Sequence, residues 1–261
     1  MVTHHRKSLR TFFGLALLIT LGFFTINEIK CTHSKTDITF IASFKNPRDV
    51  LKIVAQILPT NPIIIEAGSY NGADTEYLAK YWKNGSVHSF EPIPALYKKT
   101  TQRVKKCKNV STYQVALSNK NGSADFYISS LNASPNAPSA SSSLLEPALH
   151  LVHAPQVGFK KKIVVQTMTL DLWAEKNKIR NVDFIWLDTQ GSELSILKNS
   201  SKILPTVKAI LLEVIFIEAY KNQPSFDETK TWMESQGFQL AALSKTHVWY
   251  GDALFIRHPK A

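Results

Sequence analysis

Acids stand at the ends of four expected strands in this chain, three of them continuous apolar runs. Glu66 follows Ile63-Ile64-Ile65, Glu91 closes Val87 to Phe90, Asp188 follows Phe184-Ile185-Trp186-Leu187, and Glu213 follows Ala209-Ile210-Leu211-Leu212. Short continuous apolar runs are the mark of strands buried on both faces of a parallel sheet. In an open α/β sheet, ligands bind outside the carboxyl ends of such strands, so the placement predicts one crevice lined by all four carboxylates. Carboxylates in a crevice can accept hydroxyls or take a proton from a reacting group.

The loop after the first run reads Glu66-Ala67-Gly68-Ser69-Tyr70-Asn71-Gly72 and leads into a helix. Glycine lets the backbone approach a ligand or take positive φ, and a helix N-terminus offers free N–H donors. The Glu-x-Gly-x-x-x-Gly spacing departs from the Gly-x-Gly-x-x-Gly of dinucleotide sites. A wider loop with an acid at the strand end suits an adenosyl ligand with an amino-acid tail better than a pyrophosphate. Taken alone, it is equally a glycine turn between strand and helix. Glu91, some 25 residues after Glu66, has the placement of an acid that accepts both hydroxyls of a ribose. A lone strand-end acid is more often a helix cap; the pairing with Glu66 favours the nucleoside. Glu193, in Asp188-Thr189-Gln190-Gly191-Ser192-Glu193, also fits a first-turn acid favoured by the helix dipole.

These residues need a frame. Asp49 can cap a helix with Val50, Ile53, Val54, Ile57 and Leu58 on one face, ended by Pro59. Further helices are expected from Ala73 to about Tyr81, Ala95 to Lys106, Glu193 to Asn199 and Phe226 to Ser235, and a third strand from Val110 to Val115. Phe238 to Leu243 and Ala253 to Arg257 predict an antiparallel hairpin on the sheet edge. The expected fold class is α/β: a doubly wound, mostly parallel, seven-stranded Rossmann-like sheet with right-handed crossovers and a C-terminal hairpin, preceded by an N-terminal hydrophobic helix. Residues 129–159, rich in Ser, Asn, Ala and Pro, interrupt the rhythm and read as a substrate lid or a disordered loop. His150 and His153 flank its apolar end.

The chain has 261 residues and a formal charge of +11, from 31 Lys and Arg against 20 Asp and Glu. That length suits one compact domain with short extras. At 44% hydrophobic and 20% charged, it is not a mainly disordered chain. Cys31 and Cys107 are the only cysteines, which excludes a disulfide framework and a multi-cysteine zinc site; no metal is expected. Arg6, Lys7 and Arg10 precede an apolar run from Phe12 to Ile26, the pattern of a signal peptide or signal anchor. About fifteen helical residues span about 22 Å, short of a bilayer of roughly 30 Å. Thr25 to Cys31 lacks an Ala-x-Ala cleavage pattern. The expectation is an uncleaved anchor over 1–30, a linker over 31–48 and the domain over 49–261, with the basic end cytosolic and the domain on the lumenal or extracytoplasmic side. The other reading is a buried amphipathic helix, against which stands the lack of a polar face.

Asn84, Asn109, Asn121, Asn132 and Asn199 each begin an Asn-x-Ser triplet, a weak pointer to a lumen. The basic runs at Lys98 to Lys108 and Lys160-Lys161-Lys162 are solvated faces or attract an anionic glycan or membrane surface. No nucleic-acid-binding module is present, so no nucleic acid partner is expected. Nothing in the sequence sets an oligomeric state.

In chain order, Glu66-x-Gly-x-x-x-Gly72, Phe90-Glu91-Pro92, Val115-Ala116-Leu117-Ser118, Ser141-Ser142-Ser143-Leu144, Thr169-Leu170-Asp171, Leu187-Asp188-x-Gln190-Gly191-x-Glu193 and Leu212-Glu213-Val214 form one set. The set resembles the FkbM-type S-adenosylmethionine-dependent methyltransferases over about residues 60 to 257. The resemblance implies a methyltransferase sheet with S-adenosyl-L-methionine as cofactor. The loop from Gly68 to Gly72, with Tyr70 and Asn71, would cradle the methionine part, Glu91 the ribose, and Ala116 and Leu117 the adenine, with Glu66 and Asp188 also at the cofactor. Glu66 stands where an aspartate is commoner.

The resemblance further implies O-methylation of a sugar, a glycan or another small polar acceptor. The sulfonium already activates the methyl group, so the protein must align an acceptor oxygen and take up its proton. Asp188, Glu213 and His153 are the candidate bases. Two other readings share the fold: a nicotinamide-dependent enzyme, which should show a tighter glycine fingerprint, and a non-catalytic membrane-anchored binding protein.

Overall fold

A computed structural model describes residues 42–244 and 247–258. The expected membrane anchor at 1–30, with its hydrophobic helix, and most of the linker lie outside the described residues. No described helix is long and apolar enough to cross a membrane.

Along the chain run β1 (Ala42–Ser43), α1 (Leu51–Val54), β2 (Ile63–Ala67), α2 (Ala73–Tyr81), β3 (Ser86–Phe90), α3 (Pro94–Val104) and β4 (Val110–Tyr113). Then come β5 (Ala116–Leu117), β6 (Gly122–Leu131), β7 (Ser134–Pro138), α4 (His150–His153) and β8 (Val157–Met168). The rest is α5 (Leu170–Lys176), β9 (Phe184–Leu187), α6 (Glu193–Lys198), β10 (Ala209–Ile215), α7 (Phe226–Ser235), β11 (Phe238–Leu243) and β12 (Tyr250–Arg257).

The main sheet is ordered β4-β3-β2-β9-β10-β12-β11-β1, and a second sheet is ordered β5-β8-β6-β7. This is a Rossmann-like α/β fold with mixed sheets. All seven expected strands lie in the main sheet, but the expectation of a seven-stranded sheet is corrected. Two-residue β1 pairs parallel with β11 and makes an eighth strand, so the C-terminal hairpin is not the sheet edge. β12 runs antiparallel between β10 and β11.

The apolar runs explain the order. β9 is buried throughout and pairs parallel with β2 on one side and β10 on the other. Its Ile185 and Leu187 pack with Ile65, Ala67 and Leu212 on one face. Phe184 and Trp186 pack with Ile64, Leu78 and Leu211 on the other. A strand covered on both faces gains at each position, so alternation disappears from its sequence. α7 has the expected bounds because Ser225 caps it, taking a hydrogen bond from the Glu228 N–H (3.1 Å), and Gly237 at φ 80° ends it.

Two local expectations are corrected. The first helical segment begins earlier: Asn46, not Asp49, is the cap, and Asp49 closes a capping box on it. Regular helix then stops at Val54. Residues 129–159 are not one loop. They hold the end of β6, all of β7 and α4, and the start of β8. β6 and β8 form a long antiparallel pair from Gly122↔Thr167 to Leu131↔Val157. A third apolar cluster, with Ile93, Leu96, Ala116, Phe126, Ile128 and Val165, joins this small sheet to the end of β3 and to α3.

Candidate active site

β2 and β9 lie side by side, yet the chain leaves β2 toward β3 and leaves β9 toward β10. Their following loops diverge, and a crevice opens between them at this switch point. Gly68 at φ 88° brings one loop against the other. A Cβ there would lie 1.8 Å from the Asp188 carbonyl oxygen, so no other residue fits. The Gly68 and Ser69 N–H groups donate to the Phe90 carbonyl (3.1 and 3.2 Å), and Tyr70 turns back at φ 51°.

Glu91, one residue beyond β3, is buried and lines the crevice. Its Oε1 accepts the Ile93 N–H (2.8 Å) and its Oε2 the Tyr70 N–H (2.9 Å). Burial pushes its pKa up to about 7, against the pull of those two bonds. The crevice continues as an apolar slot between Ile93, Leu96, Ala116, Leu117, Phe126 and Leu144, with Ser139, Ala140 and Ser142 as its outer wall. Flat apolar walls below a carboxylate suit a purine and its ribose. In the same glycine loop the buried Ser69 hydroxyl has no hydrogen-bond partner. The slot encloses about 50 Å³, room for roughly three to five waters.

Glu66 is not brought to this slot. Two-residue alternation points it with Ile64 toward α2, where it is buried and accepts a hydrogen bond from Thr75 Oγ1 (2.5 Å). Thr75 in turn meets the Ser89 hydroxyl at 3.1 Å. Burial pushes the Glu66 carboxyl up to about 8. Its place in the expected crevice is thus corrected: it is part of the β2–α2 packing. Asn71 and Gly72 also turn away. The Asn71 side chain accepts the Ala73 N–H (3.1 Å), its carbonyl accepts from Arg103 Nε (2.8 Å), and Gly72 packs on Thr100. Gly68, Tyr70, Glu91, Ala116, Leu117 and Asp188 do line the slot.

Asp188 also lines a second cavity of about 450 Å³. Gln190, held at φ 57°, spans the wall there. Its Nε2 donates to Asp188 Oδ1 (2.7 Å) and to Glu213 Oε2 (2.6 Å). The Tyr220 hydroxyl shares its proton between Gln190 Oε1 (2.9 Å) and the Ser141 carbonyl (2.8 Å). Burial raises Asp188 to about 6, against the Gln190 bond. Glu213 is pushed well above the carboxylate range by burial first and then by the charges of Asp188, Glu193 and Asp252. Glu193 does not face ligand. It locks the 188–193 turn, accepting from the Thr189 N–H (2.6 Å), the Thr189 hydroxyl (2.9 Å) and the Gly191 N–H (3.0 Å).

Of the candidate bases, Asp188 stands between the cavities, while Glu213 and His153 line only the second. His153 is fixed by the Glu218 carbonyl (3.1 Å) and stacks on Trp249 at 5.4 Å. Thr169-Leu170-Asp171 is a packing device. Thr169 caps α5, and Asp171 accepts the Lys202 and Ile203 N–H groups (2.9 and 3.0 Å). The sequence reading placed His150 only at the end of the expected lid and missed Trp249, Tyr250 and Asp252, which line the second cavity, and Tyr220 behind Gln190. One signal was available: Asp252 is an acid inside the otherwise uncharged stretch from Gly251 to Ile256.

A doubly wound sheet with a glycine cradle, an acid at the end of the next strand and a slot for a flat base defines a nucleoside-cofactor transferase of the S-adenosylmethionine type. The chain belongs to the FkbM methyltransferase family, whose domain matches residues 66–240, and S-adenosyl-L-methionine is its methyl donor. It is 26% identical over 188 residues to the 2-O-methyltransferase NoeI of Sinorhizobium fredii, covering 70% of this chain and 77% of that protein. It is 24% identical over 196 residues to Methyltransferase 1 of Beauveria bassiana, covering 70% and 74%. Among solved structures, a SAM-dependent methyltransferase from Aquifex aeolicus aligns at 13% identity and a TM-score of 0.43, covering 82% of this chain and 90% of that one.

Proposed function

We propose that the protein transfers a methyl group from S-adenosylmethionine to a hydroxyl of a sugar, a glycan or another small polar acceptor, with Asp188 as the general base. The observation that carries this reading is that Asp188 lines both the slot and the second cavity. A reacting oxygen in the second cavity meets the slot's contents at that carboxylate. The bound cofactor supplies a methyl group on a positive sulfur, and the rest is alignment and proton uptake. Glu91 would hold the ribose hydroxyls, the Gly68–Tyr70 backbone the methionine part, and Ala116 and Leu117 one face of the adenine. A carboxyl near 6 is ionised at neutral pH and basic enough to share a hydroxyl proton as it leaves. Gln190 holds Asp188 Oδ1 by a hydrogen bond (2.7 Å). The printed activity of the Sinorhizobium relative supports oxygen as the acceptor atom.

Ser139, Ala140, Ser142 and Leu144 close the outer side of the slot, so the cofactor would enter past that wall. That gives the Ser/Pro-rich segment the part of a lid. The test is a calorimetric titration with S-adenosylhomocysteine, followed by transfer of labelled methyl to a panel of mono- and oligosaccharides. Asp188→Asn should keep homocysteine-adduct affinity within about threefold and lose turnover by about 10²- to 10⁴-fold. Full turnover in that variant overturns the base assignment.

A further inference from the structure

The second cavity gathers three carboxyl groups, and none of them has a paired cation among the described residues. Glu213 and Asp252 are cross-strand partners on β10 and β12 and both line it, together with Asp188. Among the described residues no cationic side chain forms an ion pair with any of the three. Lys45 lines the same cavity but forms no ion pair with them. Glu213 has one side-chain donor, Gln190 Nε2, and Asp252 has none among the described residues. Asp188 has a partner in prospect, the positive sulfur of the cofactor, but Glu213 and Asp252 do not.

An independent observation marks the same cavity as built for a ligand. His150 lines it, is fully buried, and has no hydrogen-bond partner on either ring nitrogen. Its ring is held by carbon contacts alone, to Phe159 (5.1 Å), Trp249 (5.2 Å) and Tyr220 (5.4 Å). A buried imidazole with both nitrogens idle loses about 1–3 kcal/mol per unmet group, and a small turn of the ring toward the cavity would let a ligand hydroxyl meet one of them. Trp249 and Tyr250, ring centroids 4.5 Å apart, add aromatic surface to the cavity.

We propose that this cavity recognises an amino sugar, with Glu213 and Asp252 receiving its ammonium group and His150 a neighbouring hydroxyl. The inference rests on the methyltransferase reading above and narrows its acceptor. A neutral polyol can hydrogen-bond to the two carboxyl groups but brings no charge to offset theirs when they ionise. An ammonium group offers three donors and a positive charge that favours their ionised forms. The aromatic rings beside it favour a cation further.

The experiment is calorimetry on the wild-type protein saturated with S-adenosylhomocysteine, titrated with glucosamine, glucose and N-acetylglucosamine. Glucosamine should bind at least tenfold more tightly than either neutral sugar. That preference should fall to within threefold in Asp252→Asn and in Glu213→Gln, with S-adenosylhomocysteine affinity as the check that each variant is folded. Equal binding of the three sugars, tighter binding of a neutral one, or no binding of any overturns the amino-sugar inference. The wild-type comparison decides the matter even if a variant fails to fold. Loss of S-adenosylhomocysteine binding by the wild type strikes the methyltransferase reading itself, so the two failures are separable.

Discussion

Replacing Glu66 by Gln tests whether this acid serves the ligand or the fold. Its carboxyl is buried beneath α2 on Thr75, with its pKa moved from 4.5 to about 8 chiefly by burial. Because the native value lies above the unfolded one, its contribution to stability is complete below about 4.5 and is lost as pH rises through about 8. At about 1.36 kcal/mol for each unit, the group weakens the wild-type fold by about 4 kcal/mol between pH 5 and pH 8.5. Gln does not ionise. It can accept from Thr75 as Glu66 does, but its amide must find an acceptor, at a cost of about 1–3 kcal/mol where it fails. The variant should therefore be no more stable than wild type at pH 5 and more stable at pH 8.5. At about 2–4 °C for each kcal/mol, the difference in Tm between the two proteins should swing by roughly 10 °C over that range. Thermal unfolding of both proteins at pH 5, 7 and 8.5 measures it, and the other carboxylates cancel in the comparison. Parallel pH profiles refute the burial argument. A tenfold loss of S-adenosylhomocysteine affinity in the variant would instead put Glu66 at the cofactor.

Glu91→Ala should weaken S-adenosylhomocysteine binding by about ten- to a hundredfold, read by titration; unchanged affinity removes the ribose assignment. Gly68→Ala places a Cβ 1.8 Å from the Asp188 carbonyl oxygen, at a φ of 88° that alanine resists. It should cost several kcal/mol, seen as a lower urea midpoint with the m-value unchanged, and a wild-type midpoint would show that the two loops are not in contact.

The main sheet could be read in the sequence because its strands are buried on both faces. Phe184-Ile185-Trp186-Leu187 carries the same message at each position, and the strand lies where that run does. The β6–β8 pair escaped notice for the opposite reason. One face is solvated, Lys160, Lys161 and Lys162 sit in mid-strand, and Val164 is exposed, so no apolar run appears. Site residues split by parity. Glu91 and Asp188 lie just past their strands and turn into the crevice, whereas Glu66 lies within β2 and follows Ile64 to the other face. Strand ends were legible to a residue or so, and that one residue decides which way a side chain points. His150, Tyr220 and Asp252 come together through β12 and the 141–150 segment, a meeting of distant parts that spacing does not encode.

The short stretch from Ser139 to Ser142 borders both chambers, with Ala140 in the wall of each. Any shift of Ala140 on filling one chamber would alter the wall of the other. By reciprocity, any factor by which the nucleoside alters affinity for the acceptor would equal the factor by which the acceptor alters affinity for the nucleoside.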